Sequence, residues 1–187
     1  MKKLLPYVAL IALLILAIII YNTQKIAAQS AAWQPLRLRI PALSLSASVM
    51  PVGATSSGQM DAPTSAAVNS PYWTSVFWYK GGVAPGQEGN AVIAGHVDRV
   101  GGNPAVFWSL NTLKAGDQIF IETSGQASLK FVVDRVVSYS ATAPTQEDIN
   151  AVFGPSNIHH LNLITCSGTW VNGGYDQRLV VFTTQVS

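Results

Sequence analysis

The feature that most constrains the fold of this chain is a series of short apolar or alternating segments separated by glycine and proline. In Leu36–Ile40, aliphatic side chains alternate with Arg37 and Arg39, which is the pattern of a half-buried strand. Further segments of this kind are Leu45–Val52, Ala91–His96, Asp117–Thr123, Leu129–Ser138, Leu161–Cys166 and Leu179–Thr184. Several are apolar on both faces, as expected for strands of a small closed or nearly closed barrel. We therefore predict a mainly β domain over residues 36–187.

Helix signals within this domain are few and short. Asn103 followed by Pro104 predicts a helical turn running to Leu110, because proline is favoured at the first helical position. Thr145, with Asp148 three residues later, resembles a capping box and predicts a short helix that ends at Phe153.

The N-terminus carries a different signal. Leu4–Tyr21 is almost purely apolar, and as a helix it spans about 27 Å, close to the ~30 Å hydrocarbon core of a bilayer. Lys2 and Lys3 precede it, so the positive-inside rule places the N-terminus in the cytoplasm. We predict a cytoplasmic stub and transmembrane anchor over residues 1–24 and a spacer over 25–35. The protein would be single-pass in the cell membrane with its domain extracellular; a cleaved signal peptide is the alternative.

The charge of the chain argues against a nucleic-acid-binding protein, and its cysteine content excludes a fold held by internal disulfides. Outside Lys2, Lys3 and Lys25, eight basic residues stand against nine acidic ones and form no basic stripe, so we expect no nucleic-acid partner. The chain has one cysteine, so no internal disulfide can form. An exported domain with an unpaired thiol contains either a buried chance cysteine or a reactive one.

Three residues with complementary chemistry stand at the ends of predicted strands. Cys166 and His96 each end a strand, and Arg178 begins another. If the strands of Cys166 and Arg178 are neighbours, the two side chains lie side by side at one end of the sheet. A thiolate nucleophile, an imidazole that shuttles protons and a fixed cation that steadies negative charge form a catalytic set.

The segment Leu163-Ile164-Thr165-Cys166, with His96 upstream and Arg178 on the next strand, resembles the signature of the sortases, which are membrane-anchored cysteine transpeptidases of bacteria. Further landmarks match in order: Arg39-Ile40-Pro41, Pro51-Val52-Gly53, Pro85-Gly86, Ala94-Gly95-His96-Val97-Asp98, Phe107 with Leu110 and Leu113, and Gly116-Asp117. The resemblance covers about residues 36–184 and is closest to the class F branch. It implies an eight-stranded sortase-type β-barrel with short helices, which the N-terminal transmembrane helix predicted above would precede.

The resemblance also implies a reaction and its partners. Cys166 would attack a backbone carbonyl in a C-terminal LPxTG-like sorting signal of an exported protein. The resulting thioester would pass to an amine acceptor such as a peptidoglycan precursor or a pilin. His96 would move the protons, and Arg178 would bind the carbonyl or the oxyanion. We expect no cofactor and no metal ion.

Three further residues are candidates for substrate contacts or for positioning. Thr165 either lines the substrate pocket or simply completes its strand. Trp170 and Tyr175, in the predicted loop between the cysteine and the arginine, are candidates for a wall along the peptide. Asp98, two residues after His96, would lie about 6.5–7 Å away along an extended strand, too far to orient the imidazole directly.

Other interpretations of the same residues explain less of the observed sequence pattern. His159-His160 suggests a metal site with His96 and Cys166, but adjacent residues of a strand point to opposite faces. An L,D-transpeptidase would carry His-Gly-Cys-Arg-type residues around its cysteine, and Thr165-Cys166-Ser167-Gly168 does not fit. A non-catalytic, membrane-anchored envelope-binding β-domain remains the alternative, and it leaves the placement of the three reactive residues to chance.

Overall fold

The computed structural model describes residues 15–20, 35–123 and 127–187. The chain divides into two units, Met1–Gln34 and Pro35–Ser187. In the first unit, residues 15–20 are helical. Within the described ranges, no helix has the length and apolarity needed to cross a membrane. The predicted anchor and spacer lie outside the described residues, apart from residues 15–20 and Pro35.

The second unit is a closed barrel of eight strands in the order β1-β2-β3-β4-β9-β10-β8-β7. The strands of this unit are β1 Pro35–Ile40, β2 Leu45–Val52, β3 Val76–Tyr79, β4 Gly89–Ala94, β5 Asp98–Arg99, β6 Asn103–Pro104, β7 Gln118–Thr123, β8 Leu129–Ser140, β9 His159–Val171 and β10 Gly174–Val186. Strand β7 pairs with β1 and so closes the barrel. The β2–β3 and β4–β9 pairs are parallel and the others antiparallel. The mainly β prediction and the eight-stranded barrel are confirmed.

Two local predictions differ from the structure. Val76–Tyr79 is a barrel strand that the alternation pattern does not reveal, because it is short and its residues are nearly all apolar. Asn103-Pro104 does not begin a helix; it pairs with Asp98–Arg99 in a two-stranded sheet, and the nearby 3-10 turn spans Leu110–Thr112. Proline is compatible with both structures, because neither the first position of a helix nor an edge strand requires a backbone N–H donor from that residue.

The helix α1, Gln146–Phe153, confirms the capping prediction. The Thr145 side chain accepts a hydrogen bond from the Asp148 backbone N–H, and the Asp148 carboxylate accepts one from the Thr145 N–H. Two asparagines hold the other end of the helix against the sheet. Asn162 Nδ2 donates to the Val152 carbonyl at 2.8 Å, and Asn90 Nδ2 donates to the Gly154 carbonyl at 2.8 Å. The helix is therefore fixed against the outer side of β4 and β9.

The barrel has a core on each side of its wall. The interior cluster includes Leu38, Ile93, Phe131 and Leu163, all fully buried. A second cluster lies outside the wall, where Val152 of α1 packs against outward-facing residues of β4 and β10, among them Val92, Val180 and Phe182. Strand residues therefore alternate between the interior and the surface under the helix.

The longest hairpin of the barrel, β9–β10, corrects the predicted loop between cysteine and arginine. Strand β9 continues past Cys166 to Val171, and only Asn172 and Gly173 separate it from β10. Both turn residues have positive φ, 51° and 85°. This is the Asn-Gly pair that a two-residue hairpin turn with the right-handed strand twist favours. Trp170 and Tyr175 are therefore paired strand residues and not part of a loop.

Candidate active site

Cys166 and Arg178 are direct partners across the β9–β10 hairpin. The register pairs Arg178 with Cys166 and, on the same face, Val180 with Ile164. Directly opposed residues of an antiparallel pair project from the same side of the sheet. The expectation that these two residues lie side by side is confirmed, and their shared face is the outer one, because Val180 and Ile164 pack in the cluster under α1.

Parallel pairing of β4 with β9 brings His96 to the level of Cys166. The ladder runs to Ala94 opposite Ile164, and the Gly95 N–H then donates to the Ile164 carbonyl at 3.0 Å. The Thr165 hydroxyl donates to the Gly95 carbonyl at 2.8 Å, so both polar groups of the Gly95 backbone are held by β9. Thr165 itself is buried.

Glycine is required at position 95 by a close approach. A Cβ built there would come within 2.5 Å of the Phe107 ring, which is itself buried in the core. A larger side chain would move either that ring or the end of β4, and His96 is the next residue. Glycine before His96 is therefore needed for packing against Phe107, in addition to any chemical role of the Ala94-Gly95-His96 segment.

The His96 imidazole is held by an aromatic pocket and a backbone carbonyl. Its ring lies 4.9 Å from the Trp73 ring and 5.5 Å from the Phe77 ring, centroid to centroid. Nε2 lies 2.9 Å from the Pro63 carbonyl oxygen. A carbonyl oxygen only accepts hydrogen bonds, so Nε2 carries the proton in this arrangement. Nδ1 is then the nitrogen left for proton exchange.

His96 and Cys166 border one cleft of about 780 Å³. Trp170 and Tyr175, whose rings pack edge to face at 5.2 Å, line its hairpin side. They face each other because a bulge at Gly168 and Thr169 sets two residues of β9 against Asp176 of β10. The Thr169 N–H donates to an Asp176 carboxylate oxygen at 2.7 Å and fixes this bulge.

Burial raises the pKa of the Cys166 thiol above its ordinary value of 9.0. Two charges modify this effect in opposite directions: Arg178 lowers the pKa and Asp98 raises it. A raised pKa favours the protonated thiol at neutral pH. Attack on a carbonyl then requires transfer of the thiol proton to a neighbouring base, and His96 borders the same cleft.

The Arg178 guanidinium lies toward a different depression. Nη1 donates to the carbonyls of Tyr175 at 3.1 Å and Gln177 at 2.9 Å. The side chain borders a pocket of about 150 Å³ under α1, whose apolar lining includes Ile149, Phe153 and Ile164. Arg178 thus stands between the nucleophile and an apolar pocket large enough for one aliphatic side chain.

The structure therefore brings together Cys166, His96, Trp170 and Tyr175 around one cleft. Arg178 is paired with Cys166 across the hairpin and borders the separate pocket under α1. Asp98 was expected to be too far from His96 to orient the imidazole, and its carboxylate instead accepts a hydrogen bond from the Tyr175 hydroxyl at 2.6 Å. Nothing in the sequence indicated that bond. The Pro63 carbonyl also escaped the sequence analysis, since a backbone group carries no residue-type signal.

Comparisons with known proteins agree with this geometry. A family model described as the sortase domain matches residues 38–186, which is nearly the whole barrel. No curated protein matches the chain.

Solved structures of sortases share the fold at low sequence identity. Sortase C-1 from Actinomyces oris is 23% identical with a TM-score of 0.58, over 82% of this chain and 76% of that one. Sortase A from Corynebacterium diphtheriae is 22% identical with a TM-score of 0.58, over 81% and 60%. A Clostridium perfringens sortase D5 transpeptidase is 19% identical with a TM-score of 0.56, over 81% and 78%.

Proposed function

The chain belongs to the sortase family of cysteine transpeptidases, and we propose that it cleaves a C-terminal LPxTG-like sorting signal and transfers the exported protein to an amine. The observation that carries the proposal is the pairing of Cys166 with Arg178 across one hairpin, next to a cleft that His96 borders. These three residues supply a nucleophile, a charge-stabilising donor and a proton carrier.

The first half of the reaction is acylation of Cys166. The sulfur forms a bond to the scissile carbonyl carbon while the thiol proton passes to His96. The carbon–nitrogen bond then breaks, and His96 returns the proton to the leaving amine. A thioester remains, with its acyl group activated. Arg178 stabilises the negative oxygen formed during attack, because its side chain projects from the same side of the hairpin as the sulfur and has donors besides Nη1.

The donor peptide is proposed to lie along the outer face of β9, from the pocket under α1 to Cys166. Ile149, Phe153 and Ile164 offer that pocket to an apolar side chain upstream of the scissile bond. Arg178 borders the pocket, so a peptide anchored there would carry its backbone past the guanidinium before it reaches the sulfur. The apolar first position of an LPxTG-like signal fits this pocket.

The cellular setting is also part of the proposal. The lysine-flanked apolar run at the N-terminus supports a membrane anchor with the barrel outside the cell, where a tether raises the effective concentration of membrane-held substrates. A peptidoglycan precursor or a pilin would supply the acceptor amine. The Ala-Gly-His-Val-Asp segment supports assignment to class F.

The reaction is tested by incubating the full-length protein in detergent with a library of LPxTG-like peptides and simple amines, read by mass spectrometry. We expect peptide–amine products with the wild type and none with Cys166→Ala. Iodoacetamide labelling of Cys166, read by intact mass, separates the proposal from a non-catalytic binding domain. A thiol that resists labelling in the folded protein, together with an unprocessed library, would favour the binding domain.

Location has its own test in cells. Protease added to intact, wall-stripped cells should degrade the barrel, and protection from it would reverse the proposed orientation. Release of a form that begins near Ser30 would indicate a cleaved signal in place of an anchor.

A further inference from the structure

Two groups in the cleft have no part in the acylation chemistry. The Tyr175 hydroxyl donates to Asp98 Oδ2 at 2.6 Å and so joins the β9–β10 hairpin to the short strand β5. The pKa of Tyr175 is raised to about 12, and this hydrogen bond is the main cause. The phenol therefore keeps its proton at neutral pH and remains a hydrogen-bond donor. The bond therefore fixes the orientation of a carboxylate at the wall of the cleft.

Asp98 is the sole carboxylate among the described residues that line this cleft. Arg99, the neighbouring cation, also lines this cleft, and its Nη1 is engaged by the Val68 carbonyl at 3.1 Å. Within the described residues, Asp98 Oδ2 is taken by Tyr175 and Oδ1 has no hydrogen-bond partner. A partly buried carboxylate thus lines the cleft that His96 and Cys166 share, and one of its oxygens is not hydrogen-bonded by any described residue.

The negative charge of Asp98 does not help the first half of the reaction. It raises the pKa of the Cys166 thiol and so opposes formation of the thiolate. In the second half of the reaction, the sulfur is part of an uncharged thioester, so the charge of Asp98 no longer opposes a thiolate. The incoming group at that stage is a primary amine, which is an ammonium ion at neutral pH. A carboxylate beside the thioester is complementary to that ion.

We propose that Asp98, oriented by Tyr175, binds the ammonium form of the acceptor beside the Cys166 thioester and so selects cationic primary amines as acceptors. The inference rests on the proposed transpeptidase function and identifies the acceptor side of that site. The donor peptide approaches from the α1 pocket and the acceptor from the cleft, so the two substrates reach the sulfur from different sides.

The transfer step balances with the groups present. The bound ammonium loses one proton to solvent, and its nitrogen forms a bond to the thioester carbonyl carbon. The carbon–sulfur bond breaks and its electron pair stays on the Cys166 sulfur. The second proton of the nitrogen passes through His96 to that sulfur, which leaves a neutral amide and a restored thiol.

The test loads the acyl group chemically, so it does not depend on the sorting motif. Full-length protein in detergent is acetylated at its single cysteine by exchange with S-phenyl thioacetate. Loss of the acetyl group is then followed by intact mass at increasing concentrations of triglycine, whose amino group is an ammonium ion at neutral pH, or of hydroxylamine, whose amino group is mostly uncharged there. The variants are Asp98→Asn and Tyr175→Phe. The matched control is Asp134→Asn, an exposed carboxylate that accepts a hydroxyl hydrogen bond from Thr184 at 2.8 Å.

We expect Asp98→Asn to raise the half-saturating triglycine concentration about tenfold, equivalent to about 1.4 kcal/mol, while the maximal rate changes little. Tyr175→Phe should raise that concentration about threefold, since the carboxylate remains but loses its orienting donor. Hydroxylamine should show no comparable loss in any variant, and Asp134→Asn should match the wild type. Circular dichroism confirms that each variant is folded.

Two outcomes would overturn the inference: unchanged triglycine saturation in Asp98→Asn, or an equal loss with hydroxylamine, which would indicate a general disturbance of the site. Failure to acetylate the wild-type thiol is a separate result. It would contradict the transpeptidase function itself and remove the basis of the acceptor site with it.

Discussion

The inner and outer faces of the β9–β10 hairpin differ in what their side chains do. Inward residues such as Leu163 and Val181 are fully buried in the barrel core. Outward residues are Cys166 and Arg178, followed by the residues that pack under α1. One alternating backbone therefore provides packing on one side and chemistry on the other. The packed inner face holds the outer side chains in position. We therefore expect changes of inward-facing residues to lower mainly stability, and changes of outward-facing residues to lower mainly activity.

The largest expected effect lies on the outer face. Cys166→Ala should reduce transfer below detection, because the thioester can no longer form. The free energy of unfolding should change by less than about 1 kcal/mol, because the thiol is half-buried and leaves little cavity. Peptide turnover and urea denaturation measure the two quantities. Residual transfer in this variant would show that the nucleophile lies elsewhere.

Arg178→Lys should lower turnover by about 10²–10³ at unchanged stability. Loss of one oxyanion donor has an effect of that size, and the point charge of lysine does not reproduce a planar guanidinium that donates to two carbonyls from the position paired with the cysteine. Steady-state kinetics with one processed peptide measure the effect. Near-normal turnover would mean that only the positive charge matters.

An inner-face change should reverse this pattern. Leu163→Ala should lower the free energy of unfolding by about 2–5 kcal/mol through lost burial and a residual cavity. Below the melting transition its turnover should stay within a few-fold of the wild type. Ile164→Ala, a change of the next residue on the outer face, should cost less stability because that side chain is only partly buried. Equal stability losses at the two positions would contradict the separation of the faces.

The smallest effect concerns the ionisation of the thiol. Burial raises the pKa of Cys166 above 9.0, so iodoacetamide labelling should increase through a midpoint above that pH. Asp98→Asn should lower the midpoint and Arg178→Gln should raise it, because the first charge raises the pKa and the second lowers it. Shifts in the same direction for both variants would contradict this electrostatic arrangement.

The same pKa shift has a consequence for stability. The folded-state pKa lies above the unfolded value, so the thiol contributes stability that is fully present below pH 9.0 and is lost as the pH rises through the folded pKa. Wild-type stability should therefore fall more steeply on the alkaline side than that of Cys166→Ala, which urea denaturation at several pH values would show.

Most of the barrel could be predicted from the sequence because its strands alternate or are continuously apolar. The strand Val76–Tyr79 could not, since four apolar residues without alternation fit several environments. The outer part of the β9–β10 hairpin was mistaken for a loop because it extends beyond the core and its residues are largely polar. Asn172-Gly173 was the available signal for a tight turn.

The site could be predicted only in part, for a related reason. Cys166, His96 and Arg178 lie in or beside strands that the apolar pattern identifies, so their place at strand ends could be predicted. The Tyr175–Asp98 bond depends on the bulge at Gly168 and joins residues 77 positions apart. The Pro63 contact to His96 depends on the path of a loop. Such contacts follow from tertiary geometry, and residue type alone does not encode them.

The two-residue turn of the β9–β10 hairpin leaves a tip that can be lengthened without disturbing the barrel. A residue added to each arm near Asn172 lengthens the wall around Trp170 and leaves Cys166 opposite Arg178. A single residue added to one arm exchanges the faces of every side chain up to the next bulge. Insertions in designed libraries should therefore enter this tip in matched pairs, which would reshape the wall of the cleft and keep the Cys166–Arg178 pairing.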